Sequence, residues 1–178
     1  MERWLPLAAA LCLLVAAACG GGGDGQDESV TVDGEVLTRK QFEQVKEMGA
    51  GVLDAMARQD WGDLYEHMDR DTRSVCSRQH FEGAWRDAFE RVRQNLGDDW
   101  WEEPRALLIQ AVAAIKAITW EEVKADPVRV QRRLDNLSRG LFGPSQDAGR
   151  QGVFEDVVYE DGKARLHKPH TCQGPPQT

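Results

Sequence analysis

The sequence predicts a helix-rich α+β domain with a small antiparallel sheet. Three observations lead there. Apolar residues recur at helical spacing over much of residues 38–141. Short alternating stretches occur near Val30 and again near Val157, one at each end of that helical region. Each of these stretches contains an Asp-Gly pair, the dipeptide that suits a two-residue hairpin turn.

The elements follow in order. "VTVDGEV" (Val30–Val36) alternates weakly around Asp33-Gly34 and reads as a small hairpin or an edge strand. Thr38 and Gln41 form a capping box, after which Phe42, Val45, Gly49, Val52, Leu53 and Met56 fall on one helical face. Asp60 caps a short second helix, "WGDLYEHM", and "RDTRSVCS" reads as a loop. Ser77 caps a third helix, with Phe81, Trp85, Ala88 and Val92 on one face, and "NLGDDWWEEP" ends it. "RALLIQAVAAIKAI" (Arg105–Ile118) reads as a buried helix, with a strand open for its second half. Thr119 and Glu122 form another capping box. Asp126-Pro127 then opens a helix lined by Val130, Leu134, Leu137 and Leu141. "GPSQDAGRQG" is a loop, and "VFEDVVYEDGKARLHKP" is a hairpin turning at Asp161-Gly162.

The chain's 178 residues suffice for one ordinary domain. An apolar content of 41% beside a charged content of 29% describes a chain that folds. Its net charge is −8, from 22 basic and 30 acidic residues, and no Lys/Arg cluster stands out along the sequence. Such a surface repels phosphate backbones, so nucleic acid is not an expected partner.

The first residues carry an address. Arg3 precedes fifteen uncharged residues, Trp4–Ala18. That run is shorter than the roughly 20 apolar residues a membrane-spanning helix needs, and it fits an export signal over residues 1–18. "AAAC" before "GGGGDG" resembles the lipobox of bacterial lipoproteins, although that family prefers Leu where Ala16 stands. The resemblance implies acylation of Cys19 and attachment to the lipid bilayer on the extracytoplasmic side. Ala16-x-Ala18 also suits an ordinary secretory cleavage at the same bond. Cysteine arithmetic favours the lipid. Cys12 leaves with the signal, and acylation of Cys19 leaves Cys76 and Cys172 as an even pair for a disulfide. Residues 19–29 then form a Gly-rich tether, 30–172 the single globular domain and 173–178 a loose tail.

Residues 40–90 resemble the NTF2-like superfamily as it occurs in exported lipoproteins. The resemblance lies in "AMARQDWGDLYEHMDRDTRSVCSRQHFEGAW" after a long first helix, with "VVYEDGKARL" similar to the closing strands. It implies an NTF2-like cone, in which helices pack inside a bent sheet with a pocket at the open end. The chain departs from that pattern at residues 105–141, which read as helical where strands are implied. "VTVDGEVLTRKQFEQV" resembles the opening of SurA- and PrsA-type export chaperones, and "LLIQAVAAIKAITWEEV" is loosely similar to their helical core. The parvulin domain that usually accompanies them has no room here.

Among groups that could carry chemistry, His167, His170 and Cys172 offer three ligands in "HKPHTC". A structural zinc site takes four, usually as two separated pairs, so a solvated tail is expected and no metal. His67 and His80 lie near Asp60, Asp63 and Asp69, the residue types an acid/base enzyme would use. Both sit among charged residues and are expected to be solvated. Neither G-x-S-x-G nor a phosphate loop occurs. Trp61, Tyr65, Trp85, Trp100 and Trp101 remain as candidate ligand or partner contacts. Trp61 and Trp85 read equally as core, and the Trp100–Trp101 pair as a cover over a helix end.

The expected function is a non-enzymatic binding or accessory module, anchored to the membrane, without a cofactor, acting on an unnamed protein or small ligand. The alternatives are an NTF2-like enzyme with an Asp/His pair in its pocket, and a chaperone-like helical domain for exported proteins.

Overall fold

The computed structural model describes residues 28–32, 35–142 and 157–167. The signal, Cys19, most of the tether, the loop after residue 142 and the tail lie outside the described residues, as do His170 and Cys172.

Helix α1 (Arg39–Arg58) organises the domain. Its predicted capping box is present: the Thr38 hydroxyl accepts from the Gln41 amide at 3.2 Å, and the Thr38 amide donates to Gln41 Oε1 at 2.9 Å. Gln59 ends it in the left-handed region at φ 55°. The predicted face is buried, and so are Met48, Ala50, Ala55 and Ala57. A helix apolar beyond one stripe must be covered from several sides. Helix α2 (Trp61–Glu66), helix α5 (Glu102–Lys116) and strands β2 (Glu35–Thr38) and β4 (Lys163–Leu166) supply that cover. Leu108, Ala111, Val112 and Ile115 are the buried side of α5.

Helix α3 (Arg70–Val75) leads into α4 (Arg78–Leu96), which packs against α2. A 3-10 turn at Asp98–Trp101 joins α4 to α5, so α5 begins earlier than Arg105. Helix α6 (Trp120–Ala125) places the Trp120 ring 5.6 Å from that of Phe42. Helix α7 (Pro127–Phe142) lies against α5 and α6.

The strands form two separate hairpins. β1 (Ser29–Val32) pairs antiparallel with β2 (Glu35–Thr38), Ser29 opposite Thr38. β3 (Val157–Glu160) pairs with β4 (Lys163–Leu166), Val157 opposite Leu166. Asp161 and Gly162 turn the second hairpin with φ of 50° and 72°, both positive as a type I′ turn requires.

The helix-rich α+β class therefore holds, with three details different from expectation. The small sheet is two two-stranded ribbons rather than one. Among the described residues no bent sheet surrounds the helices, because 105–116, 120–125 and 127–141 are helical throughout; a run rich in Ala, Leu and Arg favours that state. The stretch expected as a loop at "RDTRSVCS" contains α3, whose start is stabilised by a buried cap at Asp69.

Phe42, fully buried between α1 and α6, is expected to be among the costliest truncations. Phe42→Ala should lower unfolding free energy by about 3–5 kcal/mol, read from urea denaturation followed by circular dichroism.

Candidate functional site

The aromatic candidates converge into one column. Trp61 stacks on Trp85 with ring centres 5.3 Å apart, and Phe89 lies 4.5 Å from Trp61. Phe81 links Trp85, at 5.8 Å, to Tyr65, at 5.4 Å. At the other end Phe89 meets Trp100 at 5.3 Å and Trp101 at 4.9 Å. Trp61, Tyr65 and Trp85 are buried, so they belong to the core and are not exposed contacts. The Tyr65 hydroxyl donates towards the Arg73 and Cys76 carbonyls, at 3.2 and 3.0 Å. Trp100 and Trp101 are half-buried and close the end of the column, the covering role that the sequence also allowed. Cys76 follows α3 and is half-buried. Cys172, the partner expected from the sequence, lies outside the described residues.

A second convergence was not legible. Asp69, 1% exposed, caps α3: its Oδ1 accepts from the Thr72 amide at 2.8 Å. Its Oδ2 lies 2.7 Å from Nδ1 of His167, 98 positions later. Backbone hydrogen bonds align the pair. The Asp69 amide donates to the Leu166 carbonyl and the Leu166 amide to the His67 carbonyl, each at 2.9 Å. Glu160 of β3 accepts from the Arg70 amide at 3.0 Å, Arg165 reaches the Glu66 carbonyl, and Gln44 of α1 reaches the Gly162 carbonyl. His167 is therefore no solvated tail residue. Burial alone would raise the Asp69 carboxyl, but hydrogen bonds from Thr72 and His167 outweigh it and hold it below the ordinary value.

His67 is also not solvated as expected. Its ring lies so close to α1 that a Cβ on Gly51 would stand 2.4 Å from Cε1, so any side chain there would have to displace the imidazole. Burial pushes its pKa down, with the nearby acids only partly opposing this. His80 is exposed on α4 as expected. Asp60 caps α2 through the Asp63 amide at 2.9 Å, and both carboxylates bind Arg58.

Among the described residues, Asp69, Asp71 and His167 are the group whose possible ligand atoms converge, all within 4.8 Å. Both Asp69 oxygens already have partners, so the arrangement is a cap and a clasp more than a cation cage. Two open grooves are present. One of about 710 Å³ runs along α4 beside His80, Asp87 and Arg91, and one of about 740 Å³ lies between α6 and α7.

Comparison with protein-family models, with curated proteins and with solved structures finds no match to this chain.

The lowered pKa of His67 sets a pH dependence. The unfolded chain takes up a proton near pH 6.5 while the folded one resists it, so acidification favours the unfolded state. Stability should fall as pH drops below about 6.5, by at most about 1.4 kcal/mol per pH unit from this group. Urea titrations at successive pH values should show that slope, and His67→Gln should flatten it.

Proposed function

We propose that this chain is an exported protein held on the extracytoplasmic face of a membrane through acylated Cys19, serving as a non-enzymatic binding or accessory module. The observation that carries the reading is the junction Ala16-Ala17-Ala18-Cys19 followed by four glycines, set nine residues before Glu28, where the described domain begins. Two acyl signals hold a protein far more firmly than one, and a lipidated cysteine supplies several chains at one point. Among the described residues no helix is long and apolar enough to cross a membrane. The domain offers open grooves on helical surfaces, a geometry suited to docking a partner across a face.

Cys19→Ser should move the protein from the membrane fraction to the soluble fraction of the producing bacterium. Membrane retention of that variant after a high-salt wash, which strips purely electrostatic attachment, would defeat the anchor.

The Asp69–His167 pair favours one second reading, an acid/base enzyme. A buried carboxylate on Nδ1 orients the imidazole and leaves Nε2 available, the arrangement in which His acts as a general base. Hydrolysis of an activated aryl ester by the protein, lost in both His167→Ala and His167→Gln, would support the enzyme. Equal background rates in all three would remove it.

A further inference from the structure

The acidic chain contains one helix of clearly opposite character. α7 carries four arginines against a single aspartate. Helical spacing gathers three of them, Arg129, Arg132 and Arg133, along the 740 Å³ groove between α6 and α7. Ala125, Val130 and Leu137 give that groove apolar lining. Val128 at the start of α7 is 51% exposed.

The acids of the groove are already engaged. Glu122 closes the capping box with Thr119, accepting from its amide at 2.8 Å, and lies 3.8 Å from Arg133. Asp126 caps α7 by accepting from the Arg129 amide at 2.9 Å. The guanidinium groups of Arg129 and Arg132 make no hydrogen bond or ion pair with any described residue, and both side chains are exposed. Two arginines without a close ion pair, Arg129 attracted to Glu122 only at longer range, over apolar lining fit a surface that is anionic outside and apolar beneath.

The place where the chain enters the domain gives this face its direction. Glu28 is held on both sides: its carbonyl accepts from the Arg39 amide at 2.8 Å, and its carboxylate lies 3.5 Å from Nζ of Lys124. Lys124 belongs to α6, and α6 is one wall of the groove. The polypeptide arriving from Cys19 therefore joins the domain at the start of α1 and beside α6, where Lys124 is the neighbour of the groove residue Ala125. Nine residue steps separate Cys19 from Glu28, and even full extension limits them to about 30 Å.

We propose that the α6–α7 groove is the membrane-facing surface of the anchored protein, with Arg129, Arg132 and Arg133 set against anionic lipid headgroups. The proposal rests on acylation of Cys19. Tethering brings this face within reach of the bilayer, and charge then selects the orientation. Headgroups attract the arginines within a Debye length of about 10 Å, while the acidic remainder of the surface is repelled. The anchor supplies the affinity and the groove supplies the pose.

The test uses the Cys19→Ser full chain, which has no acyl group, sedimented at low salt with vesicles rich in phosphatidylglycerol or made of phosphatidylcholine alone. Binding to the anionic vesicles only, weakening as salt is added, is expected. Each surface arginine contributes about fivefold near an anionic membrane, so Arg129→Gln with Arg132→Gln should weaken binding on the order of 20-fold. Arg129→Lys with Arg132→Lys should retain most of it. Unchanged thermal melts confirm that the variants fold, as expected for exposed side chains without a close hydrogen bond or ion pair. Four outcomes overturn the proposal: no binding to anionic vesicles, equal binding to neutral ones, no effect of the glutamines, or loss of binding with the lysines. The last would indicate a shaped anion pocket in place of a membrane surface. Fractionation of wild type against Cys19→Ser reports on the anchor separately, so failure of the anchor and failure of the oriented face are told apart.

Discussion

The structure depends on the burial of α1. A helix with Phe42, Val45, Leu53 and Met56 on one side and Met48, Ala50, Ala55 and Ala57 on others cannot rest on a single neighbour. The remaining elements are arranged by that demand. α5 runs along α1, α2 crosses it close to its end, and strands from both hairpins occupy what is left. The alanines matter as much as the large residues, because small side chains let neighbouring backbones approach. At Gly51 the approach is closer still, and the His67 ring takes the space a side chain would need.

Much of this was legible from the sequence, and for local reasons. Capping boxes at Thr38 and Thr119, the cap at Ser77 and the Asp161-Gly162 turn each depend on residues within a few positions, and all four are present. The large apolar residues marked the α1 face, whereas the alanines of its other sides gave too weak a periodic signal. α3 escaped because six residues with little apolar content carry no periodicity; a cap at Asp69 that is buried by distant strands makes it stable. Read along the chain, Arg129, Arg132 and Arg133 are diluted by their neighbours, and only the helix brings them to one groove.

The candidate site divides in the same way. Five aromatic residues stood out in the sequence as candidate contacts; they gather into one column, and Trp61, Tyr65 and Trp85 lie inside the core. Their rings bridge α2, α4 and the turn before α5, which makes them a scaffold. The Asp69–His167 pair could not be found, since nothing in sequence relates positions 98 apart. A short parallel bridge between Met68 and Leu166 produces that meeting. Here topology creates the polar centre, and the centre in turn fastens the topology.

That bridge also governs when the fold can be completed. Leu166 is fully buried beside Met68, Asp69 awaits His167, and Gln44 of α1 reaches Gly162. The partners are 98 and 118 positions apart for Asp69–His167 and Gln44–Gly162, so α1 and the start of α3 are left partly uncovered until the second hairpin arrives. Contacts of such long sequence separation form late, because loop closure must precede them. Any chain made from its N-terminus would remain open until β4 had been added. The clasp thus doubles as a timer, delaying the finished core until β4 is available to close it.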